Sequence, residues 1–189
     1  MISPSVTPQA SVTLGEINSY PLTDDVIITE VMYDPTSAAG DGDLEYVELY
    51  NCSGASRELW SSYGGTDYGW KLSGGVDFEF AAGTTVAPGE AIVVVGFDPA
   101  DAGLLDAFRT HYGIGPSVTV LGPWTGALSN EGERVELLWP DGPPATEPDF
   151  VPYVLADEVD YGVSPAWPDA GGNGSSLRRL EQWLFGSES

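Results

Sequence analysis

The sequence predicts an all-β fold of two packed antiparallel sheets with one short helix inserted. Short runs rich in Val, Ile and aromatic residues recur along the chain, and turns containing Gly and Pro separate them. The 189 residues are 42% hydrophobic and include six Trp, nine Tyr and six Phe, which is enough to fill one core. Several half-apolar strands bury their faces most economically against one another, and this favours two stacked sheets.

The first two strands are predicted within residues 26–51, where two runs rich in Val, Ile and Tyr flank a loop rich in Asp and Gly. Residues 76–80 alternate between apolar and polar, as expected for a strand with one buried face and one solvated face. Residues 90–97 are almost continuously apolar and predict a central strand covered on both faces. Further strands are predicted at residues 117–121, 133–139 and 153–161. Asp157 interrupts the apolar stripe of the last one, and its acidic neighbourhood is interpreted as a solvated turn or cap.

One helix is predicted from Pro99 to Tyr112. Asp98 is a favourable N-cap, Pro99 suits the first helical position, and Gly113 ends the pattern. Apolar residues recur between them at helical spacing: Leu104, Leu105, Phe108 and Tyr112. The elements together predict an immunoglobulin-like antiparallel β-sandwich with one inserted helix at about residues 99–112. We expect the domain to cover residues 24–183, with a linker or tail at 1–23 and a tail at 184–189.

The charge of the chain excludes some partners. Against 29 Asp and Glu stand six Lys and Arg, a formal net charge of -23, which repels phosphate backbones and argues against a direct nucleic-acid partner. This charge fits a solubilising surface or, alternatively, the capture of divalent cations. No apolar run reaches the length of about 18 residues that a membrane helix needs, so no membrane insertion is expected.

Four acidic residues are candidate calcium ligands. Gly40 and Gly42 allow the backbone to turn tightly between carboxylates, and Ca²⁺ takes six to eight hard oxygen ligands. The alternative is an ordinary Asp- and Gly-rich turn, since Asp caps its own backbone and Gly accepts positive φ. The candidate ligands are Asp34, Asp41, Asp43 and Glu45.

Three aromatic residues near Gly64 and Gly65 are a candidate carbohydrate-binding surface, because sugar rings stack on exposed aromatic side chains. The same side chains could instead fill one end of the sandwich. They are Trp60, Tyr63 and Tyr68.

The residue types that catalysis usually requires are sparse. His111 is the only histidine, at the end of the predicted helix, and no Gly-x-Ser-x-Gly motif presents a nucleophile. Cys52 is the only cysteine, so no intrachain disulfide can form, and we expect it to behave as a small buried hydrophobic residue. We therefore expect no enzymatic activity, although 29 acidic residues leave an acid-based hydrolase as a third hypothesis.

Several segments, in order, resemble the lamin tail domain family. The opening strand has Glu30-Val31 and Pro35, and the next has Gly42-Asp43 followed by Glu45-Tyr46-Val47-Glu48-Leu49. Further matching pieces are Gly69-Trp70-Lys71-Leu72-Ser73, Pro88-Gly89-Glu90, Val135-Glu136-Leu137, Val159-Asp160-Tyr161-Gly162 and Ser175-Ser176-Leu177-Arg178-Arg179. Tyr46 stands where the family often has Trp, and the predicted helix lengthens a connection that is shorter in animal lamins.

The resemblance implies an immunoglobulin-like fold and, for the bacterial members, extracellular modules appended to adhesins, hydrolases, nucleases and phosphoesterases. Catalysis in such proteins is thought to reside in other domains. We therefore expect a noncatalytic interaction or scaffolding module from a larger secreted bacterial protein, located outside the cell or on its surface. Its expected partners are a protein or an extracellular glycan, together with neighbouring domains of the parent chain. The alternative is a calcium-dependent carbohydrate-binding module, with Ca²⁺ as the cofactor.

Overall fold

The computed structural model describes residues 25–35, 44–163 and 167–180. Two five-stranded sheets dominate this part of the chain. The first sheet has the order β10-β9-β2-β1-β14, formed by β1 (Val26–Met32), β2 (Tyr46–Asn51), β9 (Ala91–Val95), β10 (Thr119–Leu121) and β14 (Leu177–Arg178). The second sheet has the order β11-β7-β6-β12-β13, formed by β6 (Lys71–Gly74), β7 (Val76–Glu79), β11 (Thr125–Gly126), β12 (Gly132–Pro140) and β13 (Tyr153–Gly162).

Two small ribbons and one helix complete the described elements. β3 (Arg57–Glu58) pairs with β8 (Thr85–Val86), and β4 (Trp60–Tyr63) pairs with β5 (Thr66–Gly69). The turn between β4 and β5 consists of Gly64 and Gly65, both at positive φ, as a two-residue hairpin turn requires. The helix α1 spans Ala102–Tyr112.

The predicted immunoglobulin-like sandwich is confirmed, with one difference in strand direction. Neighbouring strands within the two large sheets are antiparallel except β9 and β10, which run parallel. The chain passes through α1 between these two strands, and such a crossover brings it back in the same direction. The expectation of purely antiparallel sheets was therefore wrong at the edge strand β10.

The main core lies between the two sheets. Val47 and Leu49 of β2 point inward from the first sheet, and Leu72 of β6 and Leu137 of β12 point inward from the second. All four are at most 1% exposed. Burying such a side chain fully contributes about 1.5–3 kcal/mol, so this interface provides the main stabilisation of the fold.

A second apolar cluster lies on the outer face of the first sheet, beneath the helix. It consists of Met32, Tyr46, Val93, Val95, Phe97 and Phe108. Phe108 is the buried residue of α1 and anchors the helix in this cluster. The continuous apolar sequence of β9 is thereby explained, because alternate residues face the sandwich core and the helix.

The helix begins three residues later than predicted. Asp98 accepts a hydrogen bond from the Ala100 N–H at 2.9 Å and forms a turn rather than the N-cap. Asp101 is the N-cap, and its Oδ1 accepts from the N–H groups of Gly103 and Leu104 at 2.9 and 3.1 Å. The end was predicted correctly at Gly113, which adopts a left-handed φ of 65° and donates its N–H to the Arg109 carbonyl.

Two single-residue expectations were wrong. Cys52 is exposed in the turn after β2, and its Sγ lies 3.3 Å from the Asp25 carbonyl oxygen. Asp157 is 0% exposed, although its acidic neighbourhood was interpreted as solvated. Its Oδ2 accepts from the Ile28 N–H at 2.8 Å and from Arg179 Nη2 at 2.6 Å. Burial raises the pKa of Asp157, and the adjacent Arg179 charge opposes that shift.

Among the described residues, no helix has the length and apolarity needed to cross a membrane.

Candidate functional site: a groove between the helix and the first sheet

A groove of about 350 Å³ opens between the C-terminal end of α1 and the outer face of the first sheet. Two glutamates, Glu30 of β1 and Glu48 of β2, line it. Apolar and aromatic side chains form much of the remaining wall: Met32, Tyr46, Phe108 and Tyr112. The groove therefore combines two carboxylates with an aromatic surface.

A β-bulge places Glu30 in this groove. The pairing of β1 with β2 shifts register between Ile28 and Glu30, so Thr29 is an extra residue. Val26 and Ile28 point into the main core before the bulge, and Val31 does so after it. Without the bulge, strict alternation would turn Glu30 towards the core instead of the groove.

The same bulge explains the buried aspartate. An extra residue interrupts the ladder of backbone hydrogen bonds, and here the Ile28 N–H donates to Asp157 of β13. Arg179 closes the arrangement, since its backbone N–H donates to the Thr29 carbonyl and its guanidinium pairs with Asp157. Asp157 and Arg179 therefore hold the backbone conformation that presents Glu30 to the groove.

Glu30 and Glu48 are direct cross-strand partners on the same face of the sheet. Side chains in this relation have Cβ atoms ~4.5–5.5 Å apart, and like charges there destabilise the sheet. Glu30 Oε1 accepts from the Tyr46 hydroxyl at 2.5 Å and also from the Ser176 hydroxyl. Glu48 Oε1 accepts from the Thr29 hydroxyl at 2.7 Å. Within the described residues, the Oε2 atoms of both glutamates accept no hydrogen bond.

Neither glutamate forms an ion pair within the described part of the chain. Arg178 of β14 is the other direct cross-strand neighbour of Glu30, on the same face of the sheet, but its side chain is exposed and forms no ion pair with Glu30. Three of the other cations pair with acids away from the groove: Arg57 with Asp25, Lys71 with Glu79, and Arg134 with Glu136, Glu158 and Asp160. Arg109 donates to the carbonyls of Gly115 and Val118, and Arg179 pairs with Asp157. The groove lining therefore contains two carboxylates without an ion pair, and the nearest cation by register is the exposed Arg178 at its edge.

Three aromatic rings pack edge to face along the groove. The ring of Tyr46 lies 5.0 Å from that of Tyr112 and 6.0 Å from that of Phe108. The Tyr112 hydroxyl donates to the Leu44 carbonyl at 2.7 Å, which fixes the ring. Burial and then the negative charges of Glu30 and Glu45 raise the pKa of Tyr112 to about 12. Burial, together with the hydrogen bond to Glu30, raises the pKa of Tyr46. Both phenols are therefore neutral and act as donors near pH 7.

Two of the four candidate calcium ligands lie in the described part of the chain, and they have different neighbours. The Asp34 carboxylate lies beside Gly171. The backbone carbonyl of Asp34 accepts from the Gly172 N–H at 3.0 Å. Glu45 is 9% exposed, and its Oε2 accepts from the Leu128 N–H at 3.1 Å. Asp41 and Asp43 lie outside the described residues. Residues 25–35, 44–163 and 167–180 contain no group of three or more acidic, His or Cys side chains that could hold a metal. The calcium site stays a prediction.

The candidate carbohydrate-binding residues lie on the hairpin formed by β4 and β5. Tyr63 and Tyr68 share one face, with ring centroids 6.1 Å apart. Trp60 lies on the opposite face, because it is three residues before Tyr63 and side chains alternate between faces along a strand. The Tyr63 hydroxyl donates to the Pro140 carbonyl at 3.0 Å, which ties the hairpin to the end of β12. The structure brings the two tyrosines together and separates Trp60 from them, and sugar binding here stays a prediction.

His111 is exposed near the end of α1, and its ring centroid lies 4.7 Å from that of Tyr112, with the two rings nearly perpendicular. It lies in the last turn of α1 together with Arg109.

Sequence reasoning missed the groove glutamates as a site. Both residues stand in the segments that resemble the lamin tail family, but nothing marked them as a pair. One sequence signal was available: each of two adjacent strands carries a glutamate among apolar residues. These glutamates lie on the sheet face that the helix covers. The bulge at Thr29 hid this signal, because it changes which residues of β1 share a face.

Comparison with known proteins agrees with this fold. The family model described as Lamin Tail Domain matches residues 21–142. A search of curated proteins finds no match. The described strands β13 and β14 follow the matched stretch and complete one edge of each large sheet. The match covers more than half of the chain, so the chain belongs to the Lamin Tail Domain family, a family of noncatalytic immunoglobulin-like domains.

Proposed function

We propose that this protein is a noncatalytic interaction module of a larger secreted bacterial protein, and that its groove binds a partner. The domain anchors or positions neighbouring domains of the parent chain, and any catalysis belongs to those domains. Family membership supports the modular role, since immunoglobulin-like domains commonly present binding surfaces on a rigid scaffold.

The pair formed by Glu30 and Glu48 carries this proposal. Two cross-strand carboxylates beside an aromatic wall lower the stability of the sheet, and a bulge is maintained to present one of them. Natural sequences depart from locally favourable choices mainly at functional sites. Although Arg178 neighbours Glu30 on its other side, a purely structural sheet would be more stable with a neutral or basic residue at position 48.

The partner in this proposal is a protein on or outside the bacterial cell. A groove of about 350 Å³ lies at the small end of the range for ligand pockets, ~300–1,000 Å³, and suits one side chain better than an oligosaccharide. The charge of -23 favours a partner with a basic surface and disfavours nucleic acid.

Photocrosslinking tests the proposal. Benzoylphenylalanine is placed at Ile114, which lines the groove, and in a control protein at Val154, which is exposed on the edge strand β13. Each protein is mixed with the secreted and surface proteins of a bacterium that encodes the chain. We expect a discrete, saturable crosslinked protein from Ile114 that unlabelled domain displaces. Equal labelling from both positions, or none from Ile114, would contradict the proposal, as would turnover of a glycan or phosphodiester substrate by the isolated domain.

The calcium hypothesis is tested separately by thermal unfolding in EDTA and then with excess CaCl₂. A ligand at 100 times its dissociation constant adds about 2.7 kcal/mol to the free energy of unfolding. If the segment that contains Asp41 and Asp43 binds calcium, the melting temperature rises accordingly. An unchanged melting temperature would remove both the calcium site and the calcium-dependent carbohydrate alternative.

A further inference from the structure

We infer that the groove recognises a primary ammonium group, presented as a lysine side chain of the partner protein. This inference rests on the proposed function and specifies the chemistry of the partner. The groove formed by Glu30, Glu48, Tyr46 and Tyr112 holds the ammonium between the two carboxylates.

The charge distribution is the first reason. Glu30 and Glu48 lie opposite each other on adjacent strands. In the described part of the chain, each has an Oε2 atom that accepts no hydrogen bond. An ammonium group has three donors and no acceptor, so it can donate to both oxygens at once. Its charge also removes the repulsion between the two carboxylates.

The arrangement of the oxygens favours an ammonium over a guanidinium. Arginine binds best when one carboxylate offers both oxygens to its planar fork. In Glu30, however, Oε1 already accepts from both the Tyr46 and the Ser176 hydroxyl, and in Glu48 it accepts from the Thr29 hydroxyl. Oε2 is therefore the oxygen without a hydrogen bond in each glutamate, and a compact charge with three donors can use one Oε2 from each side.

The walls of the groove favour an organic cation over a metal ion. Met32, Val93 and Phe108 provide apolar surface, along which the methylene stem of lysine can pack. Cations are also attracted to aromatic rings such as those of Tyr46 and Tyr112. Calcium needs six to eight oxygen ligands, and the groove hydroxyls of Tyr46 and Ser176 already donate to Glu30.

A methyl signal inside the groove provides a direct assay. The chain has two methionines, Met1 and Met32, and Met32 lines the groove while being 2% exposed. Protein labelled with ¹³C in the methionine methyl groups therefore gives two signals, and Met32→Leu identifies the one that belongs to the groove. The probe is the blocked peptide acetyl-Gly-Lys-Gly-amide at low ionic strength, where charge interactions are least screened.

We expect the lysine peptide to shift the Met32 signal saturably. The matched peptide with norleucine, which keeps the stem and lacks the charge, is expected to leave it in place, and the arginine peptide is expected to bind at least about threefold more weakly. Glu48→Gln should weaken lysine-peptide binding about tenfold, which corresponds to about 1.4 kcal/mol. The control Glu90→Gln makes the same change of charge at an exposed position outside the groove and should bind like the wild type.

Equal shifts from the norleucine and lysine peptides, or unchanged binding by Glu48→Gln, would overturn the inference. A shift produced by CaCl₂ but not by the lysine peptide would also overturn it and assign the groove to a metal. The outcome is separable from that of the proposed function. If Ile114 crosslinks a partner but the lysine peptide does not bind, the interaction role stands and the ammonium assignment fails.

Discussion

Two acidic sites adjoin strand β1, and they differ in how their negative charge is compensated. Asp157 is completely buried, and its Oδ2 accepts from the Ile28 N–H and from the Arg179 guanidinium. Glu30 and Glu48 lie side by side in an open groove, and neither forms an ion pair within the described part of the chain. One bulge connects the two places, because it releases the Ile28 N–H to Asp157 and turns Glu30 outward.

The comparison separates charge that holds the fold from charge that is available for binding. A buried carboxylate without partners would cost several kcal/mol, so the fold supplies Asp157 with both a backbone donor and an arginine. The half-exposed glutamates can remain uncompensated because water and counterions reduce their repulsion. The first place should therefore respond to substitution by losing stability, and the second by losing binding.

The largest effect is expected from Asp157→Ala, which leaves Arg179 buried beside a cavity and the Ile28 N–H without its acceptor. Removing one partner of a buried pair costs about 3–5 kcal/mol. Urea unfolding at neutral pH measures the change. Asp160→Ala is the control, because Asp160 is 49% exposed and pairs with Arg134 at the surface. Its expected cost is about 0.2–1 kcal/mol. Equal losses of stability from the two variants would mean that the buried Asp157 pair stabilises the fold no more than a surface pair does.

The next effect concerns the helix that forms one wall of the groove. Asp101→Ala removes the N-cap that accepts from the N–H groups of Gly103 and Leu104, and we expect a loss of about 1 kcal/mol in the free energy of unfolding. Thermal unfolding measures it. Asp106→Ala, an exposed site on the same helix, should change stability by less than about 0.5 kcal/mol. If Asp101→Ala left the free energy of unfolding unchanged, the N-cap would not stabilise the helix that forms this wall of the groove.

Glu48→Gln should increase stability. The amide can still accept from the Thr29 hydroxyl, while the repulsion from Glu30 disappears, and we expect a gain of about 0.2–1 kcal/mol. Chemical denaturation in low salt measures the gain, which should shrink in high salt. A loss of stability would indicate that Glu48 has a structural role like that of Asp157.

The smallest effect is a pH dependence at Asp157. Burial raises its pKa in the folded protein above the ordinary value of 3.8, so the native state holds this proton more tightly than the unfolded state does. The stability that the group contributes is fully present below pH 3.8 and is lost as the pH rises through the raised pKa. The free energy of unfolding of the wild type minus that of Asp157→Asn should therefore fall as the pH rises above 3.8. A difference that rises instead would mean that the Arg179 charge outweighs burial.

The sequence predicted the sandwich well because its strands carry strong local signals. The continuous apolar run at β9 and the apolar alternation at β12 follow directly from burial on two faces and on one face. Other features depend on neighbours that the sequence does not reveal. The parallel pairing of β10 follows from the crossover through α1, and the late start of α1 follows from Asp98 forming a turn before Asp101.

The candidate site was less predictable for a specific physical reason. Thr29 carries no sequence mark of a bulge, so simple alternation assigns Glu30 to the wrong face of β1. Asp157 looked like a solvated residue because its two partners, Ile28 and Arg179, are 129 and 22 residues away in the chain. Long-range partners of this kind can be recognised only in the folded protein.

The effect of Glu48→Gln on stability in two backgrounds tests the central claim most directly, because it measures whether the groove glutamates repel each other. Urea unfolding in low salt is compared for the wild type, Glu30→Gln, Glu48→Gln and the double variant. We expect Glu48→Gln to stabilise the wild type, and to stabilise Glu30→Gln less or not at all, since the repelling charge is already gone. The same effect in both backgrounds would contradict the account, because the two carboxylates would then not interact.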